Sequence, residues 1–81
     1  MRPPESSGGT SRSQDRLAEI DARIVQLIRQ RIEEEHLLAD ARRAAGLPRT
    51  DLSRENETVR YYDQELKTCG ANLALLLLVM R

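Results

Sequence analysis

Two arginines, Arg31 and Arg42, stand eleven residues apart in a run whose apolar residues recur at helical spacing: Leu17, Ile20, Ile24, Leu27, Ile28 and later Leu38. Each helical residue turns the chain by about 100°, so positions seven or eleven apart return to nearly the same side. Arg31 follows Ile24 by seven and precedes Leu38 by seven, so it interrupts the inward stripe, and Arg42 falls on that stripe again. Guanidinium groups aimed at an interior are costly unless anions meet them. Either the chain supplies internal carboxylates, or it takes an anionic ligand there. A second cluster, Asp51, Arg54 and Glu55, opens a later helical segment, and Glu55 lies four residues before Val59 and seven before Tyr62, on that segment's inner side.

Other candidates carry less chemistry. His36 follows Glu33, Glu34 and Glu35, but carboxylate-bridged metal bundles need Glu-x-x-His from two helices plus further Glu. The Glu33–His36 pair occurs once, so no metal site and no cofactor is expected. Cys69 reads as a small apolar residue with only Lys67 as a basic neighbour. Of Tyr61 and Tyr62, one ring is expected to pack inward and the other to face solvent.

The elements that must position these groups are all helical. Residues 1–13 mix Pro, Gly and Ser without apolar periodicity and read as a disordered tail, leaving 14–81 as one helical domain. A first helix is expected from about Ser13 to about Ala45, where Gly46 offers a left-handed cap and Pro48 prevents continuation. Such a helix is roughly 48 Å long, whereas a compact chain of this size has a radius of gyration near ~12 Å. The remaining residues cannot cover it, so a second subunit is expected to. Leu47–Asp51 forms a loop in which Thr50, Asp51 or Ser53 can cap a second helix, Leu52 to Lys67, with Leu52, Val59, Tyr62 and Leu66 as its inner stripe. Cys69–Gly70 breaks it. A third helix, Ala71 to Arg81, is apolar nearly all round and is expected to be buried on several sides.

Bulk composition narrows the function classes. The 81 residues hold 13 basic and 13 acidic side chains, so no net field draws the chain to nucleic acid or an anionic membrane. Two tyrosines without Phe or Trp offer no platform for stacking bases. One cysteine excludes an internal disulfide. The apolar run from Leu73 to Met80 is far shorter than the ~20 residues that span a bilayer. With no basic-then-apolar leader, a cytoplasmic protein is expected.

The stretches IDARIVQLIRQR (Ile20–Arg31), RRAAGLP (Arg42–Pro48) and DLSRE (Asp51–Glu55), with RYYDQEL and NLALLLL after them, resemble the all-α chorismate mutases, in particular the short actinobacterial type. With one small insertion near the second junction, the resemblance covers nearly everything from Ser13 to Arg81. It implies an intertwined homodimer of three helices per subunit, one long and two shorter. It also implies an arginine-rich pocket that takes the dicarboxylate chorismate and yields prephenate. By resemblance Arg31 holds a substrate carboxylate, and Arg42 contacts a carboxylate and the breaking ether oxygen. Glu55 accepts a hydrogen bond from the ring hydroxyl with Asp51 assisting, and Arg54 lines the pocket.

The chain departs from the family at Gln14, where a further arginine normally reaches into the partner's pocket. Arg12 and Arg16 lie two residues to either side, about 200° away around the helix. The resemblance also points to a DAHP synthase as an activating partner, docked through the apolar C-terminal end. Three readings follow: a chorismate mutase, a relative acting on aminodeoxychorismate or isochorismate, and a non-catalytic helical dimer whose Arg31 and Arg42 are neutralised by Glu34, Glu35 or Glu55.

Overall fold

The computed structural model describes residues 4–81, with side chains from residue 9 onward. It is all-helical, without strands among the described residues. Helix α1 spans Pro4–Ala44, and a second helical stretch is divided into α2 (Leu52–Leu66) and α3 (Gly70–Val79) by a one-turn 3-10 segment, Lys67–Cys69.

Helix α1 starts well before the expected Ser13. Residues 4–13 are helical where a disordered tail was expected, and residues 1–3 of that tail lie outside the described residues. Pro4 opens the helix, a position where its missing N–H has no helical partner to lose and its fixed φ suits the turn. Lengthening a helix that already exists needs no new nucleus, which offsets the poor propensity of Gly8 and Gly9.

The far end of α1 is closed as its sequence suggests. Gly46 has φ +75°, its N–H donates to Arg43 O at 3.0 Å and that of Leu47 donates to Arg42 O at 2.8 Å. This pair of bonds is the Schellman arrangement, which satisfies carbonyls left over at a helix end. It also holds the backbone of Arg42 rigid where the chain turns away. Of the three candidate caps for α2, Asp51 does the capping: its side chain accepts from Ser53 N at 3.0 Å and Arg54 N at 3.4 Å.

The second break falls at Lys67, slightly ahead of the expected Cys69–Gly70. Lys67 has φ 59°, in the left-handed region that disfavours a side chain. Gly70 then packs directly on the backbone of α2, where a Cβ would come within 2.1 Å of Tyr62 O. Only glycine fits that approach. The chain therefore doubles back, and α3 lies along α2.

Packing is uneven. Among the described residues, the buried apolar ones are Ala74, Leu77 and Leu78, all on α3. Leu75, Leu76 and Val79 are exposed, so α3 is buried on one side where several were expected. On α2, Val59 and Tyr62 are half-buried, while Leu52 and Leu66, also expected on the inner stripe, are exposed in the single chain. Tyr61 is exposed and meets Tyr62 edge-on, with ring centroids 5.9 Å apart. On α1 the half-buried positions are Ile28, Arg31, Ile32, Glu35, Ala39 and Arg42, a stripe of helical period. Leu17, Ile20, Ile24, Leu27 and Leu38, expected to face inward, are exposed in the single chain.

The overall form is rod-like, 66 × 24 × 15 Å with a radius of gyration of 18.5 Å. No described helix is long and apolar enough to cross a membrane.

Candidate functional site

The end of α1, the loop after it, the start of α2 and the end of α3 enclose a cavity of about 630 Å³. Four of the six residues singled out from the sequence line it: Arg42, Asp51, Arg54 and Glu55. Arg31 lies three turns before Arg42 on the same half-buried stripe and reaches the cavity's edge through Glu35, 4.0 Å away. Gln14 does not join them. It sits seventeen residues before Arg31 on α1, about 25 Å along the helix axis, and is exposed.

Local backbone chemistry aims each group. The Schellman turn sets Arg42, whose Nε donates to Pro48 O at 2.7 Å and whose Nη1 lies 3.9 Å from Asp51 Oδ2. Asp51 therefore serves two elements at once, capping α2 with one oxygen and facing Arg42 with the other. Arg54 and Glu55 occupy the first turn of α2, so the cap that starts the helix also places them at the cavity wall. Thr58 Oγ1 donates to Arg54 O at 3.0 Å, one turn on.

Several lining residues were not singled out as site residues: Glu35, His36, Arg49 and Arg81. Glu35 is the centre of the charge arrangement. Its carboxylate, with a side chain only 10% exposed, receives Arg54 at hydrogen-bond contact and has Arg31 and Arg81 each at 4.0 Å. Arg81 also hydrogen-bonds Glu55 Oε2. The i, i+4 spacing of Arg31 and Glu35 was the available signal for this pair. Arg81 had no such signal, because its approach depends on the corner at Lys67.

Taken together, four guanidiniums (Arg42, Arg49, Arg54, Arg81) and three carboxylates (Glu35, Asp51, Glu55) line the cavity, an excess of one positive side-chain charge, with Arg31 behind Glu35 at its edge. Leu38, Leu75, Leu78 and Val79 give the cavity an apolar wall. Charges beside such a wall interact more strongly than in open water. A planar guanidinium fork matches a carboxylate bidentately and stays charged at any working pH. The arrangement can therefore hold a small dianion with an apolar body. Among the described residues, no three or more His, Cys, Asp and Glu side chains are grouped to hold a metal ion.

Compared with protein-family models, with curated proteins and with solved structures, the chain finds no match.

Proposed function

We propose that the chain is a chorismate mutase that works as a homodimer. The observation that carries this reading is the set of four guanidiniums against three carboxylates in one half-apolar cavity, with a fifth guanidinium, Arg31, at its edge, assembled from three helices and the loop between two of them. Chorismate brings two carboxylates on a carbon ring, the charge and shape that such a wall suits.

The reaction asks for little beyond what these side chains supply. In this intramolecular Claisen rearrangement the ether C–O bond breaks as a C–C bond forms. No atom enters or leaves. The task is to hold the dianion folded, with its ends in bonding reach, and to stabilise charge gathering on the ether oxygen. A cation fixed beside that oxygen helps the transition state more than the ground state, which is what raises the rate. Arg42, held by its helix cap and by Pro48 O, is the candidate for that oxygen and one carboxylate. Arg31 and Arg54 serve the carboxylates, and Glu55 takes the ring hydroxyl with Asp51 beside it. Gln14, on the exposed early part of α1, takes the place of an arginine reaching the partner's pocket.

The homodimer is supported by surface. The chain exposes 6806 Å², against about 4,900 Å² for a folded monomer of 9.2 kDa. The surplus of about 1,900 Å² per chain exceeds the ~800 Å² per partner of a standard interface. The exposed stripe of Leu17, Ile20, Ile24 and Leu27 supplies an apolar face for it.

Loss of chorismate's ultraviolet absorbance tests the reading, with wild-type chain and Arg42→Leu, each with and without a DAHP synthase. Wild type accelerates the decay, and the variant loses about 100-fold or more in kcat. Equal decay with and without wild-type chain, in both conditions, contradicts it. Product analysis with aminodeoxychorismate and isochorismate tells the mutase from its relatives. One observation favours the non-catalytic reading: Arg31, Arg54 and Arg81 already share Glu35. In that case Arg31→Leu changes stability alone and no diacid alters the protein.

A further inference from the structure

We propose that Arg81 is a positioning residue that aims the Glu55 carboxylate at the ligand. This deepens the mutase reading and rests on it.

Glu55 and Arg81 stand thirteen residues to either side of Thr68, inside the corner segment. Equal helical lengths of about 20 Å run out along α2 and back along α3. The fold therefore delivers the residue after α3 to the first turn of α2, where the cavity lies. There Arg81 Nη1 donates to Glu55 Oε2 and stands 4.0 Å from Glu35 Oε2. It is the single side chain that ties α3 to both α1 and α2 by charge among the described ion pairs.

The choice of oxygen matters. Arg81 occupies Oε2 of Glu55, and no described hydrogen bond goes to Oε1. An ionised carboxylate accepts at both oxygens, so a guanidinium fixed on one oxygen leaves the other oriented and open. Glu55 is 15% exposed, and an unpartnered carboxylate at that depth would swing toward water or toward the neighbouring Arg54. Arg81 prevents both motions and leaves the free oxygen of Glu55 placed to accept a hydroxyl hydrogen from the ring. Glu35 steadies Arg81 in turn from α1. Arg81 thus acts through Glu55, without contact to the reacting atoms.

A double-mutant cycle on chorismate turnover tests this. Arg81→Met should lower kcat about 10-fold with KM changed less than about 2-fold, and Arg81→Lys should restore most of the loss. In a Glu55→Gln background, Arg81→Met should cost less than about 2-fold, because the group it positions is already altered. Effects that multiply overturn the inference while leaving the mutase reading intact. So does a rise in KM without a fall in kcat, which marks direct ligand binding. Absence of turnover by wild-type chain, alone and with a DAHP synthase, overturns the mutase reading and this inference with it. Circular dichroism and sedimentation confirm that each variant is folded and assembled. If Arg81→Met does not fold, the cycle is run with Arg81→Gln, judged by the same requirement that its effect vanish beside Glu55→Gln.

Discussion

The hairpin of α2 and α3 and the long helix α1 are held by different means. The hairpin closes on itself: Lys67 turns the chain, Gly70 lets two helices touch, and Ala74, Leu77 and Leu78 bury the apolar side between them. Helix α1 makes little backbone approach to either. It meets them at its last turns, chiefly through Glu35 and Arg42, and leaves its apolar stripe open. Contacts built from shape are self-sufficient, whereas contacts built from charge are incomplete without a counter-ion or a second surface. The cavity lies along the seam between these two regions, where packing gives way to charge.

The contrast breaks most severely at Gly70. A Gly70→Ala side chain would enter the backbone of Tyr62 and force the corner apart. The expected loss is about 3 kcal/mol or more, a fall in melting temperature of roughly 12 °C or more for a chain of this size. Thermal unfolding by circular dichroism reads it. An unchanged melting point would mean that the hairpin is not closed at this corner.

Ile24→Glu tests the other region. A charge in the middle of the α1 stripe should shift the chain from dimer to monomer at micromolar concentration, seen by sedimentation equilibrium. Ile24 is 47% exposed and is not one of the buried residues Ala74, Leu77 and Leu78, so α2 and α3 should keep hydrogen-exchange protection while α1 loses it. Retention of the dimer would locate the missing cover elsewhere.

The smallest effect sharpens the account of the corner. A non-glycine residue at positive φ carries strain of order 1–3 kcal/mol, and glycine's extra unfolded-state entropy returns part of any gain. Lys67→Gly should therefore stabilise by about 1 kcal/mol, raising the melting temperature by roughly 4–8 °C. A destabilised variant would show that Lys67 is not held in that conformation.

What could be read from the chain follows the same division. Local signals were sufficient for α1's end, because Gly46 and Pro48 act within a few residues, and for the shared stripe of Arg31 and Arg42, because helical period alone sets it. Asp51, Arg54 and Glu55 were legible for a similar reason, since the cap of α2 and its first turn are one local unit. Composition misled at residues 4–13, where Pro4 can open a helix as well as prevent one. Apolar faces were legible only in part: Leu38, Leu52, Leu66 and most of α3 are exposed in the single chain, because periodicity tells which residues share a face, without telling what covers it. Arg81 and Arg49 could not be placed from spacing, because their approach to the cavity depends on two turns of the chain.

The central claim is that the guanidinium excess along this seam takes a small diacid. Melting temperature with and without millimolar chorismate or prephenate tests it most directly, since a ligand bound to the folded state alone must stabilise that state. The account predicts a rise of several degrees for wild-type chain, reduced in Arg31→Leu and absent for a monocarboxylate of similar size at equal ionic strength. Identical melting curves with and without the diacids, or an equal rise in Arg31→Leu, would contradict it.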